Sequence, residues 1–443
     1  MSDGVDLTSP RQDKGADEAA SQSLHPVLRS LFSDFERRKV RWMLLRVPSV
    51  PAAPTGDVDI VVDRAGVAAL HRSAAKLGFI AVPGWDRDPE LLLVTYDHES
   101  DQWLVLDVST EVSFPASRWQ LDPKSVQAVL DRRRTTAGMT VPADGDAFWL
   151  LLLHCLLQKG RIAEHYRPRL RQLASSAVTS PLGAAACAAS AAGTAPDDLL
   201  AAARAGDWDA VAELGVRLSA NIRHRAPAAF RLRLLARRLG RSVRKPLFLV
   251  RRRGVNIALL GPNGVGKSTA ALRLQRSLPF ESRIIYMGVW KSAARPARPG
   301  RRIAEIATRP MRIWVRYLVA QYHQALGRVV IFDRYVYEAM LPAQPPFVAG
   351  KSAYFWLLAH SIPRPSAGVV LDVAGHVAYR RKQENPPAEL ESERCLYAGL
   401  TKSVSALQLI DAGPDAESVK AEITAIIWWA IQARWRRSRK DPC

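Results

Sequence analysis

The sequence predicts an α/β protein whose C-terminal part is built on a five-stranded parallel sheet, preceded by an α+β module and a helical segment. Two patterns predict this fold class. After residue 250, short apolar runs alternate with amphipathic stretches, as in a parallel sheet covered by helices. Before that, strand and helix patterns mix up to residue 135, and helical periodicity then dominates. At 443 residues the chain is too long for one ordinary core, so several domains are expected.

Composition divides the chain into six segments. The first lacks aromatic side chains and is rich in Ser, Asp, Gln and Ala, which predicts a disordered tail. The fourth is strongly basic and is interpreted as a linker. The segments are the tail 1–24, the α+β module 25–135, the helical segment 136–230, the linker 231–250, the parallel-sheet domain 251–435 and a basic tail 436–443.

The α+β module begins with an amphipathic pattern over 28–37, which predicts a helix, and an apolar strand over 41–47. Further apolar runs at 58–62 and 103–108 predict two more strands, with a helix at 65–77 between them. The module is therefore expected to contain a small sheet beside two helices.

The C-terminal domain has five strand-like runs. They are short, apolar and bounded by polar residues, as expected of strands buried on both faces. The predicted strands are 256–260, 284–287, 329–332, 368–371 and 407–410, and helices are predicted at 311–326, 353–361, 376–382 and 417–434. Ligands bind beyond the carboxyl ends of such strands, so the residues there are the candidates for a site.

A complete G-x-x-x-x-G-K-[ST] motif follows the first of these strands and opens a helix predicted at 269–278. Glycines let the backbone N–H groups converge on a polyphosphate at the positive end of that helix. Lys267 can then reach the outer phosphates, and the Ser268 hydroxyl can bind Mg²⁺. The alternative is a Gly-rich turn without a ligand. The residues predicted to bind ATP are Gly261, Pro262, Asn263, Gly264, Val265, Gly266, Lys267, Ser268 and Thr269.

Two further strand ends carry charged residues. The strand 329–332 ends at Asp333, a carboxylate that can bind Mg²⁺ directly or through water. After the next strand, Arg380 and Arg381 belong to a basic cluster on a helix, as in a lid that stabilises a transferring phosphoryl group. The alternative for the cluster alone is a solvated helix face.

Together with Arg334 and Tyr335 after Asp333, and Asp372 within Leu371–Val373, these motifs resemble the thymidylate kinase family of nucleoside monophosphate kinases over residues 251–435. The resemblance implies ATP and Mg²⁺ as cofactors and a nucleoside monophosphate acceptor, with dTMP the best single choice. It also implies that Arg334 binds the acceptor phosphate and that Arg380 or Arg381 stabilises the transition state. Lys267, Asp333 and these arginines are thus the predicted catalytic residues.

Two residues depart from the family pattern. Asn263 stands in the loop where thymidylate kinases usually have an acidic residue that helps to hold the sugar. Glu338 lies in the stretch after Asp333-Arg334-Tyr335 where a serine commonly helps to read the base. The phosphate chemistry is therefore expected to be kept, whereas the sites that choose the acceptor are altered.

A second candidate site lies in the α+β module. Asp57 and Asp59 alternate along a predicted strand, so both side chains point to one face, and Asp107 can join them from a neighbouring strand. Three such carboxylates can bind two Mg²⁺ ions for nucleotidyl transfer. The pattern resembles the nucleotidyltransferase superfamily, but Arg46-Val47-Pro48-Ser49 lacks the glycine expected upstream. The alternative is a surface turn with solvated aspartates.

The net charge of +21, from 63 basic and 42 acidic residues, suits phosphate-rich partners. Contact of the basic linker and tail with nucleic acid or an anionic membrane is one interpretation, and a solvated surface is the other. Four cysteines without metal-like spacing, no signal peptide and no bilayer-length apolar run predict a cytoplasmic protein. A homodimer is also a possible partner arrangement for this sequence.

Three functions compete. The first is an ATP-dependent phosphotransferase acting on a nucleotide or a related small phosphorylated acceptor. The second is a P-loop NTPase switch or adaptor with an N-terminal binding module, and the third is a nucleic-acid end kinase. The basic lid cluster and Arg334 favour the phosphotransferase, because a switch needs no second phosphate site.

Overall fold

The structure is a computed structural model. It describes residues 24–48, 50–54, 56–87, 90–117, 119–177, 181–190, 195–225, 232, 254–289, 299–343 and 347–440. The predicted tail 1–24 and linker 231–250 lie outside the described residues except for Leu24 and Leu232. The chain divides into two compact units, the first within Met1–Asp97 and Leu104–Gly240 and the second within His98–Trp103 and Arg241–Cys443.

The first unit combines a five-stranded sheet, in the order β1-β2-β5-β4-β3, with two short hairpins and eight helices in its described part. Its strands are β1 (Trp42–Leu44), β2 (Asp57–Val62), β3 (Ile80–Arg87), β4 (Glu90–Asp97), β5 (Gln102–Ser109), β6 (Ser113–Phe114), β7 (Trp119–Gln120), β8 (Arg134–Thr136) and β9 (Met139–Val141). Its helices are α1 (Pro26–Arg37), α2 (Val67–Lys76), α3 (Pro123–Asp131), α4 (Asp144–Leu153), α5 (Arg167–Ser176), α6 (Pro181–Ser190), α7 (Pro196–Ala205) and α8 (Trp208–Arg225).

Helix α1 forms because its apolar residues recur at helical spacing. Leu28, Leu31, Phe32 and Phe35 lie on one face and are all buried. The side chain of His25 accepts a hydrogen bond from the N–H of Val27 and so caps the first turn. The buried face packs into the same core as β1 and β2.

Strands β3 and β4 differ from the sequence prediction, which placed only a helix between β2 and β5. Pro83 and Gly84 interrupt the pattern of β3, and both residues are depleted in strands. The strand forms because β4 pairs with it in antiparallel fashion, with an irregularity between Ala81 and Asp86. Tertiary pairing therefore outweighs the weak local preference.

The described part of the first unit contains two hydrophobic cores, one in the sheet and one in the helical part. The hairpin residues Met139 and Val141 pack into the core of the sheet. Helix α3, which precedes them in sequence, contributes Val126 and Leu130 to the core around Trp149 of the helical part. Residues before 135 thus belong to the helical core, and residues after 135 belong to the sheet core. The domain boundary at residue 135 stays a prediction.

The second unit confirms the predicted five-stranded parallel sheet. Its order is β11-β12-β10-β13-β14, and every pair is parallel. The strands are β10 (Asn256–Leu260), β11 (Ser282–Tyr286), β12 (Val329–Asp333), β13 (Ala367–Asp372) and β14 (Leu407–Asp411). The helices are α9 (Lys267–Ser277), α10 (Pro299–Ala325), α11 (Val348–His360), α12 (Gly375–Arg381), α13 (Pro387–Ser403) and α14 (Ala416–Lys440).

The central strand β10 positions the site. All five of its residues are buried, and it pairs with β12 and β13 on its two sides. Leu259 lies opposite Asp333 of β12, so the loop that leaves β10 begins beside that carboxylate. The carboxyl ends of the parallel strands thus gather the predicted phosphate-site residues at one edge.

Helix α14 contains three tryptophans near its basic C-terminal end. Trp428 and Trp435 are buried, whereas Trp429 is 62 % exposed. Two of the three rings therefore serve packing within the second unit. None of the helices in the described ranges is long and apolar enough to cross a bilayer.

Candidate functional site

The loop between β10 and α9 adopts a conformation that requires glycine. Gly261 and Gly264 have φ angles of +137° and +80°. A Cβ atom on Gly261 would lie 2.6 Å from the carbonyl oxygen of Leu371, and one on Gly264 would lie 2.5 Å from that of Ala378. Side chains at both positions are excluded, so the backbone stays open to a ligand at the N-terminus of α9.

Lys267 is the first residue of α9 and is buried. Its Nζ donates hydrogen bonds to the carbonyl oxygens of Gly261 and Pro262, both at 2.7 Å. Burial, together with the nearby charge of Arg334, lowers the pKa of Lys267 to about 8. Burial removes water from the ammonium group of Lys267. A phosphate bound in the loop would stabilise the charge that this burial disfavours.

This lowered pKa predicts proton uptake on ATP binding. Phosphates favour the charged amine, so at pH 8 binding should take up about half a proton, and affinity should fall as the pH rises above 8. Calorimetry in two buffers of different ionisation enthalpy measures the uptake. A Lys267→Arg variant should lose it, and equal uptake by both proteins would refute the assignment.

The same shift affects stability without ligand. The unfolded chain has the ordinary lysine pKa of 10.5, so between pH 8 and 10.5 it binds more protons than the folded protein. The contribution of Lys267 to the free energy of unfolding therefore rises with pH across this window.

Ser268 and Asp333 meet across the strand ends. The Ser268 hydroxyl donates to Oδ2 of Asp333 at 2.9 Å, joining the first turn of α9 to the end of β12. Both side chains offer hard oxygen donors, the type that Mg²⁺ prefers beside phosphate oxygens. The pair fits a Mg²⁺ ion shared with a nucleotide.

Arg334 occupies an unusual position directly after β12. Its φ is +69°, a conformation that is rare for a bulky residue. Nη1 donates to Oε1 of Glu338 at 2.7 Å, and Nη2 donates to Oδ1 of Asn263 at 2.5 Å. Burial opposes the guanidinium charge, but Glu338 outweighs it and raises the pKa of Arg334. The arginine is thus bound to both residues that depart from the family pattern.

Glu338 lies on a short helical turn, Val336–Met340, and its side chain is only 1 % exposed. The hydroxyl of Tyr397 on α13 donates to Glu338 Oε1 at 2.9 Å. Oε2 has no hydrogen-bond partner within the described part of the chain. The carboxylate of Glu338 is therefore buried, with one oxygen that accepts two hydrogen bonds and one that accepts none from the described residues.

The basic cluster lies on and after α12. All three basic residues are exposed, but only Arg381 and Lys382 line the cavity described below, and Arg380 is absent from its walls. Hydrogen bonds of Arg394 on α13 lie beside this cluster. Its guanidinium donates to Asp372, at the end of β13, and to Glu391, both at 2.6 Å. Of the two predicted lid arginines, Arg381 is the better placed to reach a bound phosphate.

One cavity of about 1450 Å³ joins these groups. It contains Lys267, Ser268, Asp333, Arg334 and Glu338 together. Another part of its wall, which no motif in the sequence indicated, comes from α10, from Phe347 just before α11, and from α11 itself. Its residues are Ile306, Arg309, Phe347, Lys351 and Tyr354. The sequence feature that could have indicated this wall is the repeat of arginine at 309, 312 and 316, which forms a basic helix face.

The carboxylates of the second candidate site occupy adjacent strands. Asp59 on β2 lies opposite Asp107 on the parallel strand β5. Arg46 makes an ion pair with Asp59 Oδ2, its Nε lying 3.1 Å away, and its Nη1 lies 2.7 Å from Nε2 of His154. Burial and the charge of Arg46 lower the pKa of His154 to about 4, so this ring is a neutral acceptor.

The second metal site at Asp57, Asp59 and Asp107 stays a prediction, and Asp59 forms an ion pair with Arg46. The guanidinium of Arg46 supplies the positive charge beside Asp59 that a metal ion would supply. Burial, and then the charge of Asp59, raise the pKa of Asp57. In the ranges that the structure describes, no group of three or more His, Cys, Asp or Glu residues is arranged to hold a metal ion.

Comparison with known proteins shows a distant structural similarity over part of the chain. No family model matches the chain, and no curated protein is significantly similar to it. A deoxyadenosine kinase from M. mycoides, solved with bound dATP, is similar at 14 % identity and a TM-score of 0.28. The match covers 39 % of this chain and 97 % of that one.

Proposed function

We propose that the second unit is an ATP-dependent phosphotransferase whose acceptor is a nucleoside or a nucleoside monophosphate, with dTMP as the first acceptor to test. The observation that carries the proposal is the single cavity in which Lys267, Ser268 and Asp333 face Arg334 and Glu338. The first three residues suit a triphosphate, and the last two provide polar groups for a second substrate.

The size of the cavity supports two substrates. Its volume of about 1450 Å³ exceeds the roughly 300–1,000 Å³ typical of a pocket for one small ligand. A P-loop switch that binds only a nucleotide needs neither the extra volume nor the buried Arg334–Glu338 pair. These two features therefore favour a phosphotransferase over a switch or adaptor.

Each residue has a role in this proposal. Lys267 binds the outer phosphates, and the loop N–H groups orient them. Ser268 and Asp333 hold Mg²⁺, which neutralises the developing charge when bound. Arg381 and Lys382 lie where they can contact the transferring group, and Arg334 orients the acceptor.

The direct test offers the purified full-length protein γ-labelled ATP with a panel of nucleosides, nucleoside monophosphates and sugar phosphates. Transfer of the label to one member of the panel is the expected result. Release of inorganic phosphate at the same rate with and without every acceptor would instead favour the NTPase switch.

The first unit is expected to have no part in this chemistry. Replacing both Asp57 and Asp59 with alanine should leave the rate of label transfer within about twofold of wild type, as for substitutions away from a site. The transfer assay above, with circular dichroism as a control for folding, measures this. A loss of more than tenfold in a folded variant would show that the two units act together.

A further inference from the structure

The cavity wall contains one carboxylate that has no role in the proposed function. Within the described part of the chain, the acidic residues of the wall are Asp333, Glu338, Glu384 and Glu393. The first three contact Ser268, Arg334 and Lys382 at 2.9, 2.7 and 2.9 Å, respectively. Glu393 has no ion pair with any described residue, so its carboxylate is the one left for chemistry with a substrate.

Glu393 lies on α13 and is half-buried beside the phosphate loop. The backbone N–H of Asn263 in that loop is a hydrogen-bond donor to its carboxylate. The side chain of Asn263 in turn accepts a hydrogen bond from Nη2 of Arg334 at 2.5 Å. The carboxylate therefore lies between the loop proposed to bind the triphosphate and the arginine proposed to orient the acceptor.

The surroundings of Glu393 suit a group that takes up a proton. Burial, and then the negative charge of Glu389 one turn earlier on α13, raise the pKa of Glu393 above its usual value. The charges of Lys267 and Arg334 and the N–H of Asn263 oppose this shift. Because a general base works best when its pKa lies near the operating pH, a raised carboxylate pKa favours this role.

We propose that Glu393 is the general base of the phosphotransferase and that the acceptor attacks through a hydroxyl group. This inference rests on the proposed function and selects, among its acceptors, alcohols such as a nucleoside. The hydroxyl oxygen forms a bond to the γ-phosphorus of ATP, and the bond from that phosphorus to the β,γ-bridging oxygen breaks, which releases ADP. The hydroxyl proton passes to the Glu393 carboxylate and then to solvent.

A phosphate acceptor would not need this residue. The second pKa of a phosphate monoester is about 6, so its oxygen is already ionised at neutral pH. A hydroxyl keeps its proton until it reacts, and a positioned base typically contributes about 10²–10⁴-fold to such a step. The chemistry of the product therefore distinguishes the two kinds of acceptor.

The first measurement identifies the product of the full-length protein with γ-labelled ATP and a panel of nucleosides, nucleoside monophosphates and sugar phosphates. The expected product is a phosphate monoester and not a diphosphate. Glu393→Gln should reduce kcat by on the order of 10²–10⁴-fold without raising the KM for ATP, since the amide oxygen can still accept the N–H of Asn263. Glu422→Gln, which removes an exposed carboxylate of α14 outside the cavity wall, is the control and should keep the wild-type kcat.

The pH profile of kcat separates a base from a residue that only supports the loop. The wild-type rate should fall as the pH drops through the pKa of Glu393, because a protonated carboxyl group cannot accept the proton. Glu393→Gln should lose this acidic limb. Glu389→Gln leaves Glu393 in place and should move the limb to lower pH, since it removes the like charge that raises the pKa of Glu393.

The outcomes distinguish this inference from the proposed function. A diphosphate product would overturn the inference, as would equal rates and equal pH profiles for wild type and Glu393→Gln. Both results leave the phosphotransferase in place, because the label still reaches an acceptor. Release of inorganic phosphate with no labelled acceptor would instead refute the phosphotransferase, and the base assigned to it with it.

Discussion

Replacing Lys267 with alanine is expected to reduce phosphoryl transfer by on the order of 10²–10³-fold, the cost of removing one preorganised group that stabilises developing charge. The ammonium is buried inside the loop and donates hydrogen bonds to the carbonyl oxygens of Gly261 and Pro262. Its loss removes the charged side chain from the sequence 261–269. Initial rates at saturating ATP, compared with wild type, measure the effect.

Arg276→Ala is the matched control for this variant. Arg276 lies on the same helix, carries the same charge, is exposed and is not part of the cavity wall. Its removal should change the rate by less than about twofold, as for most exposed substitutions. Equal rates for Lys267→Ala and Arg276→Ala would refute the role assigned to the loop.

Asp333→Asn should reduce the Mg²⁺-dependent rate by on the order of 10²-fold, which corresponds to about 3 kcal/mol of transition-state stabilisation. The reason is the loss of a charged oxygen at the end of β12, where the Ser268 hydroxyl donates to Oδ2 of Asp333. ATP binding without Mg²⁺ should change little. Rates across a Mg²⁺ titration, together with calorimetry in a chelator, separate the two effects.

Asp411→Asn controls for the loss of a strand-end carboxylate. Asp411 ends β14, is exposed and accepts a hydrogen bond from the N–H of Gly413 at 2.8 Å, outside the cavity. Its Mg²⁺ titration should match that of wild type. If the curve of Asp333→Asn also coincides with wild type, Asp333 has only a structural role.

The phosphate loop could be predicted because its geometry is local. The residues from Val255 to Ser268 are consecutive, and their strand, turn and helix preferences agree. Parallel strands buried on both faces likewise appear as apolar runs, so the five strands of the second unit could be predicted from the sequence. Strand β3 was not, since its backbone conformation depends on pairing with β4 rather than on its own residues.

What the sequence determined by itself is therefore the parallel sheet and the residue types at the ends of its strands. Only the tertiary structure decided which charges meet. The Glu338 carboxylate contacts Tyr397, 59 positions away, and the Arg334 guanidinium contacts Asn263, 71 positions away. The guanidinium of Arg46 forms an ion pair with Asp59, 13 positions away. The physical reason is that backbone preference acts over a few neighbouring residues, whereas ion pairing depends on distances in space that the fold alone sets.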